Sequence, residues 1–527
     1  MNDKSLKNTL FGEIMKARTR IYQVCGPTPL EVYPMPGGWD MLLKREDLSP
    51  IHSYKWRGAF NFMKAREKEG RPVGVVAASA GNHAQGVALS AAQLGISAHI
   101  FMPKSAPKLK VEAAKRLGGS WVEIHQVGDN FDEASAASFD FSRVNGALYV
   151  PPYDDLLVMA GQGVLGDELM IGPHRPDVVF LQIGGGGMAA GVATAIKNYD
   201  PEVKIIGVEE VGQASMKAAF EAGHPVALDH VDVFCDGTAV KKAGELPFQV
   251  LRDQLDGLVT VTVSEVSSAI QKYWQVARVL SEPSGAIGLA AARKMGDQLR
   301  GLKAGIVLSG ANLDFRQLAQ ISRRAGGGTA SKPYYQVRLD ERPGAILALL
   351  KTINPLGLNI NYLIVGQNDR NTAYPIIGFD GSRSQANELE HALAAAGYDF
   401  RDVSDRADLS FRLAPFEPSL FKRPFAAILN FPERAGALAE FLDRVAPLGT
   451  ISYFNYAHSG EQVGRALAVF SFESDESRRL FEEDLKKKGP HYTNLAPETF
   501  VALGLVGAVP GQHFSSIPAE GGGKSSR

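Results

Sequence analysis

The segment VGVVAASAGNHAQGVALSAAQL, residues 73–94, gives the clearest prediction of the fold. Its first six residues form a short apolar run that predicts a buried strand. A polar break follows at residues 79–82, and small residues then continue to residue 94 with the spacing of a helix. A strand, a tight loop and a helix in this order predict one unit of a parallel α/β sheet, whose ligands bind beyond the carboxyl ends of the strands.

The same alternation of strands and helices extends over residues 1–325. We predict further strands at residues 97–102, 178–183, 204–208 and 304–308, and further helices at residues 108–117 and 188–197. Strands that alternate with helices imply a mostly parallel sheet covered on both faces.

Composition excludes several classes of function. A chain of 527 residues is long enough for two to four domains. Its net charge of -1 gives no electrostatic reason to expect a nucleic acid or an anionic membrane as partner. Cys25 and Cys235 have no CxxC spacing, which argues against a disulfide framework or a structural zinc site and fits the reducing cytoplasm. The first residues lack the apolar core of a signal peptide.

An uncharged stretch at residues 178–196 has about the length of a membrane span. It contains four consecutive glycines followed by small residues. A strand, a tight loop and a helix therefore explain it better than a transmembrane helix does.

The segment SYKWRGA, residues 53–59, contains the first candidate for chemistry. A lone lysine is usually a solvated surface charge, but Lys55 stands between the aromatic residues Tyr54 and Trp56. An amine in an apolar setting loses hydration, which lowers its pKa and makes it a nucleophile at neutral pH.

Two loops each join a predicted strand to a predicted helix: SAGNHAQG at residues 79–86 and GGGGM at residues 184–188. Free N–H groups at a helix N-terminus bind carboxylate or phosphate, and consecutive glycines allow the backbone to approach such a group closely. The alternative for the first loop is a plain turn in which Asn82 caps the helix. A further segment, LSGAN at residues 308–312, follows the last predicted strand and on its own marks only a strand end.

The glycine loop also has an alternative interpretation. Gly185, Gly187 and Ala190 fit the pattern G-x-G-x-x-A, and Glu209 follows about 20 residues later, as in a dinucleotide-binding fingerprint. A glycine pattern alone is a weak signal, and a nicotinamide dehydrogenase would leave Lys55 without a role.

The four segments together, in this order, resemble the fold-type-II pyridoxal-phosphate enzymes, and most closely the threonine/serine dehydratases. The resemblance covers about residues 20–320. It implies a tryptophan synthase β-like α/β catalytic domain over residues 1–325, with two open, mostly parallel sheets and a small subdomain at about 58–160. It also implies pyridoxal 5'-phosphate as cofactor and L-threonine as substrate, with L-serine as an alternative because one methyl group separates the two by only about 1–3 kcal/mol.

The resemblance assigns roles to individual residues. Lys55 would hold the cofactor and remove the α-proton of the substrate. Other cofactor contacts would come from Tyr54, Asn82, Gly184, Gly185, Gly186, Gly187, Met188 and Ser309. Tyr54 would lie beside the ring, Asn82 would bind its hydroxyl group, the glycine loop would hold the phosphate, and Ser309 would face the ring nitrogen. The substrate carboxylate would be bound by Ser79, Ala80, Gly81 and His83.

Two chemical points stay open at this level. A serine at the ring nitrogen should leave that nitrogen less protonated, which favours loss of the β-hydroxyl; the proton for that hydroxyl would come from Lys55 or from the cofactor phosphate. Some relatives bind a divalent metal through a glutamate and a nearby acidic residue. Glu209 matches the first but Ser215 stands at the second, so we predict no divalent metal at these catalytic-domain positions and leave a monovalent cation open.

The remainder of the chain contains a repeat. A glycine-rich linker is predicted at residues 326–333, and the sequence Glu-Arg-x-Gly-Ala then occurs twice, with Gly344 and Gly436 separated by 92 residues. Each copy continues with a helical pattern, Pro-Leu-Gly and a strand-like run, which predicts two ferredoxin-like βαββαβ domains at residues 334–410 and 422–505. Residues 506–527 are predicted to be disordered.

These two modules resemble the ACT-like regulatory domains of biosynthetic threonine dehydratases. That resemblance implies the first step of isoleucine biosynthesis, inhibition by isoleucine, antagonism by valine, and a cytoplasmic homotetramer. The alternatives are oligomerisation modules without a ligand, a serine dehydratase or serine racemase-type enzyme with an amino-acid-sensing half, and a sensor that has lost catalysis. Intact Lys55, Asn82 and Ser309 argue against the last.

Overall fold

The structure is a computed structural model. It describes residues 3–67, 74–325, 334–340, 345–356, 358–364, 372–373, 375–380, 383–404, 423–432, 441, 447–457, 463–488 and 491–495. The chain divides into two compact units, and the first of them contains Met1–Ala325.

The first unit alternates strands and helices, as the sequence predicts. Its strands are β1 (Leu30–Met35), β2 (Trp39–Arg45), β3 (Val75–Ala78), β4 (Ala98–Met102), β5 (Val122–Gln126), β6 (Leu148–Tyr149), β7 (Val178–Gln182), β8 (Lys204–Glu210), β9 (Gly257–Val261) and β10 (Lys303–Leu308). Its helices are α1 (Asp3–Ile21), α2 (Lys55–Arg66), α3 (Asn82–Leu94), α4 (Lys108–Gly118), α5 (Phe131–Asn145), α6 (Leu156–Ile171), α7 (Gly187–Tyr199), α8 (Ser215–Ala222), α9 (Glu245–Leu251), α10 (Val263–Ala277), α11 (Pro283–Lys294) and α12 (Phe315–Ala325).

Two open sheets form this unit. The larger has the order β1-β2-β10-β7-β8-β9 and is parallel except for β1, which pairs with β2 in the antiparallel direction. The smaller has the order β5-β4-β3-β6 and is parallel throughout. The predicted fold class, with two open and mostly parallel sheets, is confirmed.

The larger sheet is buried on both faces, which explains why its central strands are continuously apolar. Val179 and Leu181 of β7 pack into the core under α1, α6 and α7, whereas Val178 and Phe180 pack into the core under α10 and α11. Successive side chains of a strand point to opposite faces, so the run needs apolar residues at every position.

The rest of the chain contains two small antiparallel sheets with the same strand order. The first copy consists of β11 (Tyr334–Val337), α13 (Ala345–Ile353), β13 (Asn359–Ile364), β15 (Ile376–Asp380), α14 (Arg383–Ala395) and β16 (Phe400–Asp402), with the short pair β12 (Leu339–Asp340) and β14 (Thr372–Ala373) beside it. The second copy contains β17 (Phe425–Pro432), β18 (Thr450–Ala457), β19 (Val463–Ser471), α15 (Asp475–Lys488) and β20 (His491–Asn494).

The orders are β13-β15-β11-β16 and β18-β19-β17-β20. In both, the chain's second strand stands at one edge, next to the third, and the fourth stands at the other edge. This is the order of a βαββαβ unit. Several segments singled out in the sequence lie outside the described residues: the predicted linker at 326–333, the repeated Glu-Arg-x-Gly sequences at 341–344 and 433–436, and the tail at 506–527. Among the helices that the structure describes, none is long and apolar enough to cross a membrane.

Candidate active site

Lys55 is the first residue of α2, and the residue before it is joined to the segment that follows β10, an interior strand of the larger sheet. The N–H group of Tyr54 donates a hydrogen bond to the carbonyl of Ser309 over 3.1 Å. Ser53 and Gly310 form an isolated bridge beside that bond. Two segments separated by about 250 residues in the sequence are thereby joined at the carboxyl end of β10.

The Lys55 amine lies in a cleft between the two sheets. Its Nζ donates to the carbonyl of Pro152 over 3.2 Å and lies 5.6 Å from the centre of the Tyr54 ring. Desolvation lowers the pKa of Lys55 to about 8, although the carboxylate of Glu282 acts in the opposite direction. A substantial fraction of the amine is therefore neutral near pH 8, as a nucleophile or a base requires.

A buried ion network holds α2 in place behind Lys55. The side chain of Arg57 is completely buried and donates to Glu46 over 2.9 Å and to Glu168 over 2.7 Å. Lys44 forms a further buried ion pair with Glu168. Because two carboxylates surround the guanidinium, the helix that carries Lys55 has little freedom to rotate. The sequence gives one hint of this network, the arginine two residues after the lysine.

The glycine loop lies between β7 and α7 and shares a cavity with Lys55. Residues lining that cavity include Tyr54, Lys55, Tyr153, Gly184, Gly185, Gly186, Gly187, Met188 and Thr238. Side chains are excluded from the loop: a Cβ at Gly185 would lie 2.2 Å from the ring of Tyr153, and one at Gly187 would lie 2.5 Å from the Tyr153 carbonyl. Gly186 has φ = +91°, which favours glycine.

The loop between β3 and α3 lines a second, larger cavity together with Lys55. The residues of this loop on the cavity wall are Ser79, Ala80, Gly81, Asn82 and His83. The ring of His83 donates through Nε2 to the carbonyl of Val150 over 2.9 Å. Burial and the nearby Lys55 lower the pKa of His83 to about 3, so the ring is neutral. His83 thus ties the loop to the segment that contains Val150. Its ring is occupied by that bond, so the group of His83 that remains available to a carboxylate is the backbone N–H at the start of α3.

Asn82 belongs to a polar cluster that the sequence analysis missed. Its amide Nδ2 donates to Glu282 over 2.8 Å, and its Oδ1 accepts from Asn312 over 2.7 Å. The N–H group of Asn312 also donates to Glu282 over 3.2 Å. The only signal for Glu282 in the sequence is that it precedes Pro283, a residue that favours the first position of a helix.

Glu282 is buried, and it interacts electrostatically with Lys55 and Lys110, two of the lysines that line the cleft. Burial and the neighbouring Asp236 raise the pKa of Glu282 to about 7, whereas Lys110 and the two hydrogen bonds lower it. Lys110 itself forms an ion pair with Asp236 at the cleft wall. A carboxyl group of this kind can carry or release a proton near neutral pH.

Ser309 is 2% exposed and lies outside the set of residues that line either cavity; its link with the site is the bond from Tyr54. Glu209 accepts the N–H groups of Met216 and Lys217 at 2.7 and 2.8 Å and so caps α8. Ser215 is buried beside it, and its hydroxyl has no hydrogen-bond partner among the described residues.

The cavity fits pyridoxal 5'-phosphate. The cradle of glycines, which no Cβ can enter, ends at the N-terminus of α7, where free N–H groups and the helix dipole favour a phosphate. The amine of Lys55 opens into the same cavity. A second anion site, at the N-terminus of α3, faces Lys55 from the other sheet.

Comparisons with known proteins agree with this geometry. Residues 21–310 match the family described as pyridoxal-phosphate dependent enzyme, and residues 423–505 match the C-terminal regulatory domain of threonine dehydratase. The biosynthetic L-threonine dehydratase of Haemophilus influenzae is 36% identical over 495 residues, covering 92% of this chain and 95% of that protein.

Solved pyridoxal-phosphate enzymes are similar to this chain over about three fifths of its length. The processed form of threonine deaminase isoform 2 from Solanum lycopersicum is 38% identical with a TM-score of 0.58, covering 60% of this chain and 94% of that one. Maize serine racemase is 31% identical with a TM-score of 0.55, covering 59% and 95%. The chain therefore belongs to the pyridoxal-phosphate dependent enzymes and, among them, to the biosynthetic threonine dehydratases.

Proposed function

We propose that the cleft around Lys55 eliminates water from L-threonine and that hydrolysis of the resulting enamine then releases ammonia and 2-oxobutanoate, the entry to isoleucine synthesis. The observation that carries this proposal is the position of the Lys55 amine. The amine lines both cavities. The first is lined by the glycine loop, which can hold a phosphate, and the second by the loop at residues 79–83, which can hold a carboxylate.

Each part of the cleft has a separate task. Bound pyridoxal phosphate supplies an electron sink for the substrate α-carbon. N–H groups at the start of α3 bind the substrate carboxylate, which orients the α-carbon towards Lys55. The neutral fraction of the Lys55 amine takes the α-proton, because its pKa of about 8 lies close to the working pH.

The β-hydroxyl group must leave with a proton. Lys55, which has just received a proton, can return it to the leaving hydroxyl; the phosphate of the cofactor, which the glycine loop would hold, would be the other source. Glu282 stays at the Asn82 side of the cleft and holds that asparagine through its Nδ2 hydrogen bond. We assign Glu282 a positioning role, because it acts through Asn82 and this role requires no contact between Glu282 and Lys55.

The C-terminal half supports a regulatory proposal. We infer two ACT-like domains at residues 334–410 and 422–505, with isoleucine as inhibitor and valine as antagonist. Two sheets of identical order and the match of residues 423–505 to a regulatory domain support it. A homotetramer that changes between two states of different activity would couple the ligand to the cleft. A cytoplasmic location completes the proposal, in keeping with the free thiols of Cys25 and Cys235.

The first experiment measures ammonia and 2-oxoacid production by the purified protein from L-threonine and from L-serine, with and without isoleucine. We expect turnover of L-threonine that isoleucine suppresses and valine restores. Turnover of L-serine alone would support the serine dehydratase alternative. Formation of D-serine would support a racemase, as the likeness to maize serine racemase suggests.

A further inference from the structure

A second group of titratable side chains lies on the smaller sheet, apart from the cleft residues described above. His99 belongs to β4, and Glu123 and His125 belong to the neighbouring strand β5. The parallel register pairs His99 with Glu123 and Phe101 with His125. Alternate residues of a strand share a face, so all three titratable side chains leave the sheet on the same side.

The three side chains converge on one point. Nδ1 of His99 lies 3.1 Å from Nε2 of His125 and 3.5 Å from a carboxylate oxygen of Glu123. Nε2 of His125 lies 3.7 Å from the other carboxylate oxygen. A tetrahedral zinc ion, with bonds of about 2.0–2.1 Å, places neighbouring ligand atoms about 3.3 Å apart. The observed spacings bracket that value.

Aromatic contacts fix the orientation of both imidazole rings. The ring of His125 stacks on Phe101 with centres 4.6 Å apart and planes inclined by 17°, and His99 packs on Phe141 with centres 4.4 Å apart. The histidine side chains are 21% and 24% exposed, and Glu123 is 65% exposed. An ion from solvent can therefore reach the cluster, and water can take the remaining coordination position.

We propose that His99, Glu123 and His125 bind one divalent transition-metal ion, with zinc as the reference case, and that this ion ties β4 to β5. Two imidazoles and one carboxylate form a donor set that zinc uses when one position is left to water. Imidazole donors disfavour magnesium and calcium, which take oxygen ligands. The alternative is a hydrogen bond between the two histidines, with the carboxylate as a neighbour and no ion.

The test uses tag-free holoenzyme and zinc ions in competition with a chromogenic chelator. We expect the wild type to bind one zinc ion per chain. The variant Glu123→Gln should weaken zinc binding by more than the about 10–100-fold that loss of an outer partner of a ligand costs. Glu123 is mostly exposed, so this variant should fold, and its turnover of L-threonine provides the check. His174→Gln removes an exposed histidine outside the cluster and should bind zinc like the wild type.

Cobalt(II) gives an independent reading. Its visible absorption bands should show four-coordinate nitrogen and oxygen ligation in the wild type and should disappear in His125→Gln. Equal zinc affinity in the wild type and Glu123→Gln would overturn the proposal. Absence of saturable binding in the wild type would overturn it as well, and would leave the histidine pair as a hydrogen bond.

Discussion

Lys55 combines two properties that rarely occur together in a lysine: contact with a cleft and a lowered pKa. We predict that Lys55→Ala lowers kcat on L-threonine by at least about 10²–10⁴-fold, the usual contribution of a general base. The matched control is Lys64→Ala on the same helix, where the lysine pairs with Glu67 at the surface. Steady-state kinetics and the absorbance of bound cofactor provide the measurement. Retention of activity by Lys55→Ala would remove Lys55 from the mechanism.

Glu282 gives a prediction about stability and pH. Its pKa of about 7 in the folded chain exceeds the ordinary value of 4.5. Between pH 4.5 and pH 7, the folded state therefore binds a proton on Glu282 that the unfolded state has released. The stabilisation is complete below the ordinary pKa and is lost as the pH rises through 7, with a slope of at most about 1.4 kcal/mol per pH unit. Relative to the wild type, Glu282→Gln should therefore gain stability from about pH 5 to pH 7, and the difference should level off above pH 7.

Urea unfolding of the cofactor-free proteins at several pH values measures this difference. Glu209 and Glu210 also have pKa values raised to about 7, but they are present in both proteins and cancel in the comparison. Parallel stability profiles for the two proteins would contradict the assignment of a raised pKa to Glu282.

Residues within short motifs were predictable from the sequence, and residues outside them were not. Lys55, Asn82 and the glycine loop stand in compact patterns whose spacing already points to chemistry. Glu282 and Lys110 reach the cleft only through the packing of α11 and α4, and nothing in their neighbouring residues distinguishes them from ordinary charges. The roles that the resemblance assigns to individual site residues stay predictions, and Lys55→Ala tests one of them.

For strands and helices, the spacing of apolar residues predicted an element correctly where it matched the period of one type of structure alone. α3, from Asn82 to Leu94, begins one residue before the predicted helix and ends where predicted, and β7 and α7 differ from their predicted bounds by one or two residues. α6 could not be predicted in this way, since it is buried on all sides and rich in glycine. A helix without a polar face has no amphipathic period, and glycine has low helix propensity. Tertiary contact, with α2 on one side and α7 on the other, stabilises it instead.

Glycines of both helices, Gly163 and Gly166 in α6 and Gly191 in α7, allow the two backbones to approach closely, which gives a prediction about packing. A Cβ at Gly191 would lie 2.2 Å from the carbonyl of Met159, a backbone atom that cannot rotate away. Gly191→Ala should lower the free energy of unfolding by about 1–3 kcal/mol or more. Gly12→Ala, in α1 with no atom within 4 Å of the new methyl group, should raise it by about 0.5–1 kcal/mol. Urea midpoints of the two variants should thus move in opposite directions; a common direction would refute the packing argument.

At the scale of the whole molecule, the repeat in the sequence predicted two similar small folds, and the two sheets do share one strand order. The sequence could not predict which copy binds a ligand, because that depends on the side chains around the repeated Glu-Arg-x-Gly segments at 341–344 and 433–436. These segments lie outside the described residues. Regulation is therefore best tested by removing both copies together.

The first unit has its own cores on both faces of the larger sheet and a further core in the smaller sheet. The match to the solved tomato enzyme covers 94% of that chain and 60% of this one, a share close to that of residues 1–325. We therefore predict that a chain ending at Ala325, which keeps α12 and its packing on α10, folds and dehydrates L-threonine. Its kcat should stay within about threefold of the full chain, a difference of roughly 0.7 kcal/mol in the barrier.

Isoleucine should no longer inhibit this shortened chain, because the sheets proposed to bind it are absent. Rates measured across a range of isoleucine concentrations, with the full chain as control, give the comparison. If the shortened chain is still inhibited, isoleucine must act at the cleft, where its carboxylate can occupy the N-terminus of α3 and compete with L-threonine. If it folds but has no activity, the C-terminal half must contribute to the active state itself, and the regulatory and catalytic roles of the two halves cannot be separated.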